Sequence, residues 1–174
     1  GFETPDSGRI EIAGQEVARV NGRKSHFLPP EKRRIGMVFQ DYALFPHLSV
    51  IDNIRFGIRK QPEHQQNQII DDLLALVRLE ETAQRFPHEL SGGQQQRVAI
   101  ARAIASSPAV TLADEPTANV DSATAEMLLS LMEKLNRERG VTFIFSTHDP
   151  RVMARARRIV HLVDGQVDHD EKKE

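Results

Sequence analysis

Eight residues, Leu90-Ser91-Gly92-Gly93-Gln94-Gln95-Gln96-Arg97, constrain this chain more than any other stretch. A serine followed by two glycines at a helix start exposes backbone N–H groups. The helix dipole adds partial positive charge there, so the position favours an anion such as a phosphate. Val98, Ala99, Ile100, Ala101 and Ala103 continue the helical pattern until Pro108 breaks it. An apolar run from Val110 to Ala113 then delivers Asp114-Glu115. A bare Ser-Gly-Gly describes only a serine-capped helix with a tight start. The whole octet, followed by a strand that ends in two carboxylates, is far more specific and points to phosphate chemistry.

The 174 residues suffice for one compact domain and not for two ordinary ones. With 23 basic and 25 acidic residues the net charge is -2, so no general field draws nucleic acid or an anionic membrane surface. The chain has no cysteine, which excludes disulfides, thiolate metal sites and a cysteine nucleophile. No window approaches the roughly 20 apolar residues of a membrane-spanning helix, and Gly1-Phe2-Glu3-Thr4-Pro5-Asp6 lacks the character of a secretory signal. The chain reads as soluble. Because it lacks an initial methionine and enters a turn at Thr4-Pro5-Asp6-Ser7-Gly8, a missing front end is expected.

Alternation at Arg9-Ile10-Glu11-Ile12, a turn at Ala13-Gly14 and Gln15-Glu16-Val17 predict a short antiparallel β hairpin on the surface. Arg34 to Phe39 reads as a buried strand that presents Gln40 at its end. Ile51, Ile54 and Ile58, then Ile69, Ile70, Leu73, Leu74 and Val77, recur at helical spacing, so residues 50–105 form a small helical subdomain. Ser122 is expected to cap a long helix that ends at Gly140. Val141 to Ser146 forms a strand, followed by a helix through Val152 and Ala156 and a third strand from Arg158 to Val163. That alternation implies parallel crossovers. Asp164-Gly165 makes a tight hairpin turn before Gln166-Val167, and the charged residues 168–174 are expected to fray.

Asp114 and Glu115 should emerge at the carboxyl end of their strand, where open parallel sheets place ligands. The first carboxylate can hold Mg2+ and the second can orient or deprotonate an attacking water. An isolated Asp-Glu pair is as readily a solvated loop start, but Pro116-Thr117 after it and the octet before it weigh against that. His148 is one of seven histidines and lies just past the next buried strand, within reach of the same edge. The other six have no such placement and no metal-ligand spacing, so no zinc site is expected. Gln40 leads into Asp41-Tyr42-Ala43-Leu44-Phe45-Pro46-His47, where Leu44-Phe45 suits local packing or a docking loop. Asp121 suits equally a helix cap or a residue that meets a partner subunit.

A P-loop requires Gly-x-x-x-x-Gly-Lys followed by Ser or Thr, because its amides wrap the phosphates and its lysine neutralises them. None occurs in these residues. Gly22-Arg23-Lys24-Ser25 lacks the first glycine and any strand-to-helix setting, so Val17 to Ser25 reads as an exposed basic loop.

In order, Gln40, Leu90 to Gln94, Asp114-Glu115, Ala118-Asn119-Val120-Asp121 and His148 resemble the Q-loop, signature, Walker B, D-loop and switch histidine of ABC transporter ATPase subunits. The resemblance covers residues 1–167. It implies an α/β fold of the ABC-type P-loop NTPase class, a RecA-like parallel sheet core with a helical subdomain and a short antiparallel hairpin, incomplete at the N-terminus. It implies a single domain: hairpin and Q-loop strand in 1–49, signature helix in 50–105, Walker B and switch histidine in 106–174. In that family two domains sandwich two ATPs head to tail. The resemblance therefore implies Asp114 on Mg2+ with Gln40 helping, Glu115 as general base and His148 on the γ-phosphate. Ser91, Gly92, Gly93, Gln94 and Asp121 would meet nucleotide or partner across a homo- or heterodimer. The loop after Gln40 would meet transmembrane permease subunits, which places the chain in the cytoplasm against the inner face of the membrane.

Residues Arg33 to His47 resemble importers of ferric iron and polyamines. Leu112 to Ser122 and Phe145 to Pro150 look more like the lipoprotein-release and macrolide-export group, which the end of the chain soon after Val167 mildly favours. A soluble ABC ATPase of DNA repair or translation should carry coiled-coil insertions or a second ABC domain. A noncatalytic module would offer only its signature and coupling loop to an intact partner.

Overall fold

The structure, a computed structural model, describes residues 3–22 and 24–173. Gly1 and Phe2 of the opening turn, Arg23 of the basic loop and Glu174 lie outside the described residues. The chain opens with β1 (Gly8–Ile12), β2 (Gln15–Asn21) and β3 (Lys24–Phe27), an antiparallel sheet in that order. The expected two-stranded hairpin is thus three-stranded, and the described residues of the stretch read as a basic loop, Val17 to Ser25, are mostly those of β2 and the start of β3. β2 runs past Val17, and Gly22 at φ 58° turns the chain so that Phe27 pairs Ala18 and Ser25 pairs Val20. Val17 and Ala18 are fully buried, so one face of this sheet belongs to the interior.

The centre is a parallel sheet of β4 (Ile35–Val38), β5 (Val110–Asp114) and β6 (Phe143–Ser146), with β5 in the middle. Val38 pairs Ala113, and Asp114 pairs Ser146, so all three strands end at one edge. Three helices precede β5: α1 (Val50–Phe56), α2 (Glu63–Val77) and α3 (Gly92–Ala105). Ser49 caps α1 by accepting the Asp52 N–H, and Arg78 at φ 56° stops α2. Buried Asn53 ties the preceding loop to α1, accepting from the Phe45 amide and donating to the carbonyls of Phe45, Leu48 and Ser49. α3 is the hub of the core. Its Val98, Ile100 and Ala101 are fully buried and cluster with Ile54 and Ile58 from the α1 side and Ile70, Leu73 and Val77 of α2.

β5 leads through a turn into α4 (Ser122–Arg139), which buries Leu128, Leu129, Met132 and Leu135 and ends at Gly140 in the left-handed region, φ 67°. Its cap is Asp121 rather than the expected Ser122. The Asp121 carboxylate accepts the Thr124 N–H, and Ser122 is the first helical residue. After β6 come α5 (Pro150–Arg155), β7 (Arg158–Val163) and β8 (Gln166–Lys172).

β7 departs from the expected third parallel strand. Among the described residues it pairs only with β8, antiparallel, as a separate hairpin. The tail expected to fray is therefore a paired strand as far as Lys172. Asp164 and Gly165 both take positive φ, as a two-residue hairpin turn demands. Ile144 on β6, Leu162 on β7 and Val167 on β8 are 55%, 65% and 63% exposed, so the free edge of β6 and this hairpin present bare apolar surface. Among the described residues no helix is long and apolar enough to cross a membrane.

Candidate functional site

Because the three parallel strands end together, Gln40, Asp114-Glu115 and His148 reach one edge of the sheet from three neighbouring strands. Glu115 holds a left-handed backbone, φ 41°, and its N–H donates to the Ser146 carbonyl at 2.9 Å. A non-glycine residue persists there only when its surroundings over-determine it. The side chain shows how. Thr147 Oγ1 donates to Oε2 at 2.9 Å, the His148 N–H donates to Oε1 at 3.1 Å, and His148 Nδ1 lies 2.7 Å from the same oxygen. Burial pushes the Glu115 carboxyl upward, but the hydrogen bonds from His148 and Thr147 outweigh it and hold the group below the ordinary carboxylate range. Its lone pairs are not all used by these bonds, so it can still accept a proton or orient a water. The His148 ring is 91% exposed and remains open to a ligand on its outer face.

Asp114 is exposed, and its carboxylate makes no side-chain hydrogen bond or ion pair among the described residues. The Gln40 side chain is likewise exposed and unengaged there. Both are oxygen donors of the kind a hard cation takes.

The octet forms the start of α3. Ser91 Oγ accepts the Gln94 N–H at 3.3 Å, and Gln94 Oε1 accepts the Ser91 N–H at 2.9 Å, a reciprocal capping box. Accepting that bond leaves the Ser91 hydroxyl proton free to donate outward. The glycines answer to space. A Cβ on Gly93 would stand 2.5 Å from Thr124 Cγ2, and one on Gly92 would stand 3.0 Å from the Tyr42 hydroxyl oxygen. Asp121 caps α4 and bonds the same Thr124 hydroxyl at 2.7 Å, which holds its carboxyl below the ordinary range. Signature and D-loop are thereby packed against each other.

Several residues inside the motifs, with no role assigned to them from sequence, complete the assembly. Buried Gln96 donates to the Pro116 carbonyl at 2.7 Å and fixes the turn after Glu115 to α3. Thr117 donates to Asp149 at 2.7 Å, while Asp149 caps α5 and takes a forked pair from Arg151. Arg151 first and Thr117 second drive the Asp149 carboxyl far below its usual range, although burial opposes them. Asn119 donates to the Gln40 carbonyl at 3.0 Å and accepts from the Tyr42 hydroxyl at 3.1 Å, which joins the D-loop to the Q-loop.

Arg102 on α3 anchors the loop after Gln40. It donates to the Ala43 carbonyl at 2.6 Å and the Tyr42 carbonyl at 3.1 Å and lies over the Phe45 ring. Tyr42 and Ala43 both hold left-handed backbones, φ 61° and 46°, a strain of about 1–3 kcal/mol each. Arg102→Ala should release them. Hydrogen exchange at Tyr42 and Ala43 should quicken by about tenfold or more while the α3 core stays protected; unchanged exchange in the loop would contradict the anchoring role. Beside Arg102, a shallow groove lined by Phe39, Phe45 and Phe56 opens on the surface, with Phe45 and Phe56 in ring contact. Leu44 packs against the core cluster, so of the pair Leu44-Phe45 only Phe45 lines the groove.

A family model described as ABC transporter matches residues 1–118. The spermidine/putrescine import ATP-binding protein PotA of Marinobacter nauticus is 44% identical over 170 residues, covering 96% of this chain and 43% of that protein. PotA of Lawsonia intracellularis is 43% identical over 171 residues, covering 97% and 44%. The chain thus spans less than half the length of these curated relatives. Among solved structures, a dimeric post-hydrolysis state of the ATP-binding cassette MJ0796 bound to ADP and Pi aligns with a TM-score of 0.80 and 37% identity. It covers 98% of this chain and 75% of that one. An α/β sheet whose three parallel strands end at one edge, a signature-bearing helix across it and a family match over two thirds of the residues agree: the chain belongs to the ABC transporter ATPase family.

Proposed function

We propose that these residues belong to the ATP-binding subunit of an ABC transporter, with ATP and Mg2+ bound at the sheet edge and across a dimer of such subunits. The observation that carries the reading is the convergence of Gln40, Asp114, Glu115 and His148 on one edge while the Ser91 cap faces outward on a separate helix. A site divided in this way suits a head-to-tail dimer, since one subunit's α3 start supplies what the other's sheet edge lacks. Asp114 and Gln40 are the free oxygen donors that would hold Mg2+, which when bound neutralises charge on the phosphates. Glu115 accepts a proton from, or orients, the attacking water, and His148 turns its exposed ring toward the terminal phosphate. Ser91 donates its hydroxyl proton and the Gly92 and Gly93 amides face the partner's nucleotide.

The loop from Asp41 to His47 is the contact for membrane subunits. Arg102 ties it to α3 and Asn119 ties it to the D-loop, so a change at the nucleotide shifts the apolar groove at Phe39, Phe45 and Phe56. On this reading the chain works on the cytoplasmic side of a membrane, held there by its membrane partners. Relatives named for spermidine/putrescine import support the importer resemblance of Arg33 to His47 over the exporter one.

Mixing the chain with an intact ABC cassette and measuring ATP turnover tests the proposal. The wild-type chain should change the cassette's turnover per site about twofold or more, and Ser91→Arg, which fills the cap with a bulky cation, should abolish the change. A wild-type chain that leaves turnover untouched at about tenfold excess would overturn the proposal.

A further inference from the structure

Tyr42 follows Gln40 by two positions and holds its backbone in the left-handed region, φ 61°, an outlier for so bulky a side chain. Two ties keep it there: its N–H donates to the Phe39 carbonyl at 3.1 Å, and its carbonyl accepts from Arg102 at 3.1 Å. Strain held in this way points to a side chain that must be aimed. The ring is aimed at the start of α3. Tyr42 thus meets that helix twice, once through Arg102 near its end and once beside Gly92, its first residue.

The hydroxyl closes a junction of three loops. It donates to the Asn119 carbonyl at 3.1 Å, while the Asn119 side-chain NH2 donates to the Gln40 carbonyl at 3.0 Å, so the Q-loop grips this D-loop residue by main chain and side chain together. Burial first and the Asp41 charge second raise the Tyr42 pKa, so the hydroxyl keeps its proton and stays a donor. The signature rests against the same two oxygens. A Cβ on Gly92 would stand 3.0 Å from the Tyr42 hydroxyl oxygen and 3.5 Å from the Asn119 carbonyl oxygen, while one on Gly93 would stand 2.5 Å from Thr124 Cγ2. Tyr42, Asn119 and Thr124 therefore form a seat for the two signature glycines.

We propose that Tyr42 is a positioning residue for the signature, whose hydroxyl sets where the Ser91 to Gly93 start of α3 stands against the D-loop. That role rests on the reading that this start meets a partner's nucleotide. It also supplies a physical reason for glycine at position 92. Gly92 is helical and takes no positive φ, so backbone freedom is not what it contributes. The tight neighbour is the Tyr42 oxygen. Without that oxygen, the atoms nearest an added carbon would be Asn119 O at 3.5 Å and Tyr42 Cζ at 3.9 Å, both at ordinary contact distance. The hydroxyl at 42 and the missing side chain at 92 thus answer to each other, across a gap in sequence that hides the pairing.

Mixing the chain with an intact ABC cassette, and reading the chain concentration that gives half of its effect on ATP turnover, tests the role of Tyr42. Tyr42→Phe removes the oxygen, keeps the ring and should raise that concentration about three- to fivefold. Gly92→Ala should raise it about thirtyfold or more, because the added carbon drives the hydroxyl off Asn119. The double variant Tyr42→Phe/Gly92→Ala should need no more than about twice the concentration of Tyr42→Phe alone, since the carbon enters the space the oxygen left. A tyrosine that merely stabilises the fold, or a glycine kept only for the approach of a phosphate, predicts two losses that add. A double variant as weak as Gly92→Ala, or a Tyr42→Phe chain equal to wild type, would overturn the role of Tyr42 while the wild-type effect upholds the reading beneath it. A wild-type chain without effect at about tenfold excess would overturn that reading, and the role of Tyr42 with it.

Discussion

Gly36→Ala should destabilise the chain by about 3 kcal/mol, a large share of the roughly 5–15 kcal/mol that holds a domain together. The cause is space rather than backbone freedom. A Cβ at Gly36 would stand 2.4 Å from the Ala103 carbonyl oxygen and 3.0 Å from Thr111 Oγ1. The closest atom is backbone, so no rotamer change relieves the clash and either β4 or α3 must move. α3 carries the Ser91 cap at its other end and holds Pro116 through Gln96, so that movement would also disturb both halves of the candidate site. Gly140→Ala is the contrast: its φ of 67° is strained for alanine, but nothing lies within 4 Å of the added carbon. Its cost should be nearer about 1 kcal/mol. Urea denaturation of both variants measures the difference. Equal losses would show that the approach of α3 to β4 is not the constraint inferred here.

The end of β5 and the cap of α3 were legible because they rest on local chemistry, whereas the cap of α4 falls on Asp121, one residue before the expected Ser122, where two capping types stand side by side. An apolar run ending in Asp114-Glu115 can only present those carboxylates at a strand terminus, and Ser91 with Gln94 three residues on is a local cap. The ties between loops were not legible. Thr117 to Asp149, Gln96 to Pro116 and Asn119 to Gln40 join residues 20 or more apart, and each side chain is of a common type whose partner exists only after folding. β8 was legible only at its start, Gln166-Val167, for a different reason. Gln166 to Lys172 carries a single apolar residue, so no alternation marks it, and its pairing is imposed by the Asp164-Gly165 turn. The turn itself was readable, but how far the ladder continued beyond it was not. β7 followed a helix in the right rhythm for a parallel strand, yet alternation cannot say which strand a neighbour is. The bare faces of Ile144, Leu162 and Val167 mark where the two sheets stand apart.

Glu115→Gln should lower ATP turnover by about 10²–10⁴-fold in a cassette completed by joining the P-loop segment of an ABC relative ahead of residue 1. The 174 residues hold no Gly-x-x-x-x-Gly-Lys, so without that segment turnover should be negligible for either sequence. Glutamine keeps the local structure. Its amide oxygen can replace Oε1 toward His148, and its NH2 can donate to the Thr147 hydroxyl, which turns from donor to acceptor. What is lost is the negative charge and the proton affinity. The depressed pKa adds a pH signature: a group held below the ordinary carboxylate range stays ionised as pH falls, so turnover limited by Glu115 should show no acid limb down to about pH 5. The sign for folding is the same. The stabilisation from its bonds to His148 and Thr147 is present above the unfolded pKa and is lost as pH falls through the lower folded one. An acid limb near neutrality, or a Glu115→Gln cassette within about threefold of wild type, would place the proton acceptor elsewhere. His148→Ala separates the remaining roles. It removes the ring beside Glu115 but leaves the carboxylate its bond from Thr147, so a loss much smaller than that of Glu115→Gln assigns His148 to positioning and the carboxylate to proton transfer.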